Sequence, residues 1–158
     1  MKYAWLITSA LLMAACSSAP STPSKPNAQD ASPFYGRWQV AGVAVSNSGI
    51  QALTDNDPSL MGQRLSVSEA LLAWEQPVVT GDTCSKPRFI QTAALPSLEQ
   101  QERLAKLGMQ PAIAYAVACQ SGDWGPEGQG SPTFFLTSRG ELGLSWYDGG
   151  MLKLTRSK

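Results

Sequence analysis

The nine residues PAIAYAVAC, 111–119, constrain this chain more than any other stretch. Ile113, Tyr115, Val117 and Cys119 fall on one side of an extended strand, and Ala112, Ala114, Ala116 and Ala118 fall on the other. Such strict alternation is a strand signal, because successive side chains of a strand point to opposite faces. Both faces are apolar but only one is bulky, so the strand is buried on two sides and something packs close against the alanines.

The rest of the chain repeats the theme in short pieces between turn signals. RWQVAGVAV places Trp38, Val40 and Ala44 on one side, with Arg37 and Gln39 opposite, before becoming apolar on both. QRLSVSEALLAWEQ supplies Leu65 with Val67 and Leu72 with Trp74, and PRFIQTA around Phe89 is a further strand. TFFLTS, ELGLSWY and MLKLTR follow, parted by Arg139-Gly140 and Asp148-Gly149-Gly150, and read as an antiparallel meander. One helix is expected, over PSLEQQERLAKLG. Ser97 and Gln100 have capping-box spacing, Glu99 with Arg103 and Glu102 with Lys106 are favourable pairs four apart, and Gly108 sits where a C-terminal cap belongs. Its apolar stripe, Leu104 and Leu107, would lie on the alanine face. About eight strands, one helix and no βαβ repeat give a mainly β fold, a small antiparallel β-barrel with one packed α-helix.

Gly36-Arg37-Trp38 on the first strand resembles the Gly-x-Trp element of lipocalins and related small barrels. The resemblance implies that Trp38 plugs one end of the barrel and that Arg156, on the last strand, covers its ring at barrel closure. A guanidinium over an indole contributes about 0.5 to 2 kcal/mol. The domain is shorter than a lipocalin and carries its helix in the middle, so the likeness is architectural, and architecture does not carry function with it.

The amino-terminal stretch LITSALLMAACSSAP is a separate signal. One lysine, Lys2, precedes an apolar run that ends at Ala15. The run is too short to span a bilayer as a helix, which takes about 20 residues, and reads as an export signal. Leu12-Met13-Ala14-Ala15-Cys16 resembles the lipobox of bacterial lipoproteins. That resemblance implies a signal peptide over 1–15, cleavage before Cys16 and lipidation of its thiol. Ser17 in place of aspartate implies the outer membrane, with the domain facing the periplasm. Residues 16–33 then form a tether rich in proline and serine, without enough apolar surface to fold, and 34–158 is the domain.

With Cys16 acylated, Cys84 and Cys119 are left as a pair in an oxidising compartment, and the expected outcome is a disulfide. Closing a loop of about 35 residues stabilises by roughly 4 kcal/mol in the chain-entropy picture.

The chain contains no histidine, so neither a Ser-His-Asp nor a Cys-His site can be built. Lys86, Lys106 and Lys153 lie in polar or turn settings, and no serine occupies a nucleophile elbow. Asp55 and Asp57 have the spacing of calcium ligands but lack the rest of that loop, and Asp57-Pro58 reads better as a helix start. Asp82 and Asp123 read as loop carboxylates near the disulfide, and GDWGPEGQG leads into a strand rather than the helix start a phosphate needs. No catalytic residue, metal or cofactor is expected. Twelve basic and twelve acidic residues leave no electrostatic footprint for nucleic acid.

Aromatic residues remain as candidate ligand or partner contacts: Trp38, Trp74, Tyr115, Trp146 and one of Phe134 or Phe135 on strands, and Trp124 in a glycine-rich loop. Filling a small barrel is the simplest role for the strand aromatics, whereas a loop tryptophan either anchors a partner or folds back over the barrel mouth. Two functions are carried forward. One is a tethered binding protein recognising a periplasmic protein or envelope component. Lysozyme-inhibitor lipoproteins resemble it in anchor, disulfide and small barrel, although their inhibitory loop motifs are absent. The other is a lipocalin-like carrier of a small apolar ligand. An enzyme ranks below both.

Overall fold

A computed structural model describes residues 30–46, 51–76, 82–125 and 132–158. The expected signal peptide over 1–15, Cys16 and most of the expected tether lie outside the described residues.

Nine strands form one curled antiparallel sheet. They are β1 (Gly36–Ala44), β2 (Arg64–Val67), β3 (Leu71–Trp74), β4 (Thr83–Ser85), β5 (Arg88–Gln91), β6 (Ala112–Ala118), β7 (Thr133–Thr137), β8 (Leu142–Ser145) and β9 (Met151–Arg156). The sheet order is β4-β3-β2-β1-β9-β8-β7-β6-β5, a half-barrel. First and last strands pair at its centre, with Trp38 opposite Arg156 and Val40 opposite Leu154. The margins, β4 and β5, are consecutive in the chain and separated by only Lys86 and Pro87. Bent there, with Lys86 at φ 46°, one run of chain serves both ends of the sheet.

The strands form where the alternation says, and their inner faces meet. Leu65 and Val67 of β2 stand opposite Trp74 and Leu72 of β3, and Leu142 and Leu144 of β8 opposite Leu154 and Leu152 of β9. These residues line the main core with Phe34, Trp38, Phe89, Val117 and Phe134. Along β1 the parity changes. A bulge between Val40 and Gly42 turns Val43 into the main core, so Val43 and not Ala44 continues the face begun by Trp38 and Val40.

The helix, α1 (Leu98–Lys106), has the expected capping box: Ser97 Oγ accepts from the Gln100 amide, and the Gln100 side chain accepts from the Ser97 amide. Its seat differs in part from the one expected. Ala112 and Ala114 reach it, but Ala116 and Ala118 stay half-exposed, and the helix lies over β1 and β9. The reason is space. A Cβ at Gly42 would lie 3.0 Å from Leu107, and one at Gly143 would lie 3.3 Å from Leu104 and 3.4 Å from Met109. Two bare positions on the outer face let the helix approach closer than alanine allows, closing a second core of Leu104, Met109, Ala114, Phe135 and Met151.

Asp57 does not start a helix. Its carboxylate accepts from the backbone amides of Ser59 and Thr54, and the chain makes a single turn, with the amides of Leu60 and Met61 bonded back to the Asp57 carbonyl. Three residues later Leu60 is already committed to the main core, which leaves no room for a second turn.

Candidate functional site

The ring contacts of the described residues fall into two groups, and the candidate aromatics are divided between them.

The first group closes on a short 3-10 turn, Ser32–Phe34, at the end of the segment assigned to the tether. The Phe34 ring is stacked on Phe89 with centroids 4.0 Å apart and meets Tyr115 edge-on at 4.9 Å. The Phe34 carbonyl accepts from the Trp38 indole at 2.8 Å. Arg156 donates to the Pro33 carbonyl at 2.9 Å and to the Tyr35 carbonyl, and its guanidinium carbon sits 4.3 Å above the Trp38 ring centroid. Trp38 is therefore held from inside with its indole donor matched, and the ring of Tyr115 is held against Phe34.

The second group is a trio. Trp74 ends β3, Trp146 follows β8, and Trp124 arrives from the segment after β6. Centroids are 5.3 Å apart for Trp74 and Trp146, 5.9 Å for Trp74 and Trp124, and 6.0 Å for Trp124 and Trp146. Three features of the sequence bring Trp124 there. The Cys84–Cys119 disulfide ties the end of β6 to β4, with Cα atoms 5.1 Å apart. Ser85 donates to the Ser121 carbonyl at 2.9 Å and accepts from the Gln120 amide at 2.8 Å, which lays residues 119–122 along β4. Gly122, at φ +83°, passes so close that a Cβ would strike the Thr83 carbonyl oxygen. Trp124 is consequently 5% exposed, not a free anchor: of the two roles open to it, the structure shows the ring folded back onto Trp74 and Trp146.

Two donors in this trio are unmatched. The indole N–H groups of Trp74 and Trp124 are buried, and neither has a hydrogen-bond acceptor among the described residues. Each such group costs about 1–3 kcal/mol of lost hydration. Trp74 itself is half-buried, and Ser121, Gly122 and Asp123 beside the trio in the chain are exposed.

Four of the groups weighed for catalysis, Lys106, Lys153, Asp55 and Asp57, are engaged elsewhere. Lys153 pairs with Glu141 at 2.8 Å and donates to the Leu107 carbonyl, and Lys106 donates to the Val45 carbonyl. Asp55 accepts from the Val45 amide at 2.8 Å. Hydrogen bonds from Ser59, and then from Thr54, hold the Asp57 carboxyl below its ordinary range. Among the described residues no three metal-ligating side chains cluster, and no helix is long and apolar enough to cross a membrane.

The sequence singled out all three tryptophans but not their meeting. Gly122 and the two cysteines are the only local signs that the loop is pinned. Compared with protein-family models, with curated proteins and with solved structures, the chain matches none.

Proposed function

We propose that this chain is a binding lipoprotein of the bacterial envelope, anchored through Cys16 at the outer membrane and recognising a periplasmic protein or other envelope component with the Trp74–Trp124–Trp146 end of its half-barrel. The observation that carries this reading is the pair of buried indole donors, on Trp74 and Trp124, that find no acceptor among the described residues, with Trp124 on a segment pinned by a disulfide. A partner that shifts the Trp124 segment and brings acceptors to those two donors offsets their lost hydration, and aromatic rings so engaged concentrate binding energy.

The carrier reading has less support. The inward positions that would line a ligand cavity hold stacked rings instead, with Phe34, Trp38 and Phe134 almost fully buried.

The test is photo-crosslinking in intact cells from the exposed position Asp123, using the full-length chain and its Cys16→Ser variant. The account expects a discrete crosslinked species from Asp123 and none from exposed Arg139, on the far β7–β8 turn. It expects the Cys16→Ser chain to leave the membrane fraction. Equal, diffuse crosslinking from both positions counts against recognition by the tryptophan end. Retention of the serine variant in the lipid fraction counts against the anchor.

A further inference from the structure

A guanidinium taken out of water is normally matched by a carboxylate in close, often bidentate contact. Arg103 on α1 breaks that rule. Its side chain is 9% exposed, yet among the described residues the carboxylate paired with it is that of Glu99, 3.9 Å away on a side chain 71% exposed. Its Nε is buried with no hydrogen-bond partner among the described residues.

What surrounds the guanidinium is rich in donors. Arg103 Nη1 and Gln51 Nε2 each lie 3.7 Å from the point where Gly149 would carry a Cβ, so both donors flank the same stretch of bare backbone. The neighbouring acid, Asp148, accepts through Oδ2 from the amides of Ala52 and Leu53. Lys106, one turn along the helix, adds positive charge on the same element.

From this we infer that Arg103 and Gln51, seated over Gly149, form a binding site for a single oxyanion group, a carboxylate or a phosphate, on a small ligand or on the end of a partner chain. The planar fork of the guanidinium offers two parallel donors to such a group, and the Gln51 amide a third. The site lies apart from the tryptophan trio and does not depend on the function proposed for it.

The experiment follows the arginine Nε–Hε and glutamine side-chain amide resonances of the full chain by NMR while sodium acetate or inorganic phosphate is added at constant ionic strength against chloride. The expected result is a saturable shift of Arg103 Nε–Hε and the Gln51 amide, with exposed Arg37 and Arg139 moving little. Which anion saturates first tells carboxylate from phosphate. Gln51→Ala weakens the response several-fold and Arg103→Gln abolishes it. Glu99→Gln, which removes the competing acceptor from an exposed position, tightens it. Should Arg103→Gln fail to fold, the Gln51 and Glu99 variants carry the same test. A static Arg103 resonance with both anions, or a linear drift shared with Arg37 and Arg139, overturns the inference.

Discussion

Replacing Phe34 by alanine measures how firmly the amino-terminal turn is built into the half-barrel. The ring is 1% exposed and touches Phe89, Tyr115 and Phe134, with centroids 4.0, 4.9 and 6.3 Å away. Truncating a phenylalanine buried to this degree costs about 3–5 kcal/mol, the transfer and cavity costs together. The upper half of that range applies here, since the ring is stacked on one side and met edge-on from two others, and such pairs add about 0.5–1.5 kcal/mol each. The substitution spares the Phe34 carbonyl, so the Trp38 bond and the Arg156 clamp on Pro33 and Tyr35 remain available. Total stability for a domain of this kind is about 5–15 kcal/mol, so the variant forfeits a large share of it. Urea denaturation followed by far-UV circular dichroism gives the loss, with Leu95→Ala, at a side chain 86% exposed, as the reference that changes by less than about 0.5 kcal/mol. A loss below about 1 kcal/mol at Phe34, with the slope against urea unchanged, would refute the docking of this turn in the core.

Two further outcomes follow from the same geometry. Reducing Cys84–Cys119 frees residues 119–124 from β4 and should lower stability by about 2–4 kcal/mol; a melt that is the same with and without reductant contradicts the disulfide's role in holding Trp124. Glu141 is held below its ordinary carboxyl range chiefly by the hydrogen bond from Lys153, then by Arg139. A carboxylate with a depressed folded pKa contributes stability above its unfolded pKa and loses it as pH falls through the folded one. Acid titration of stability should therefore show a decline below the ordinary carboxyl range that Glu141→Gln flattens, and an identical acid limb in the variant contradicts the pairing.

What the sequence disclosed and what it hid divide by range. The capping box of α1 depends on residues three apart, and it was legible. So were the positions of β6, β8 and β9 as strands, because their side chains alternate along the chain, although β6 buries Ala114 and Val117 on opposite faces and leaves Ile113 exposed. The seat of the helix was not, since it depends on Gly42 and Gly143 lying in one cross-strand row, on either side of Lys153, in strands far apart in the chain. The switch of face along β1 was hidden for a related reason: a bulge adds a residue that only the pairing partner, β9, reveals. At Asp57 the cap and the following proline were genuine, but Leu60 and its place in the core ended the turn before a helix could grow. Trp124 illustrates both limits. Its residue type marked it as a candidate, while its burial depends on a disulfide and a glycine that fix the loop from outside it.

The indole N–H resonances of the tryptophans test the central claim most directly. With the full-length protein in detergent and an extract of its own envelope added in steps, the account predicts that the Trp74 and Trp124 Nε1–H signals move downfield as they gain acceptors, while that of Trp38, already bonded to the Phe34 carbonyl, stays in place. Signals of Trp74 and Trp124 that stay fixed, or a shift led by Trp38, would contradict recognition at the tryptophan end.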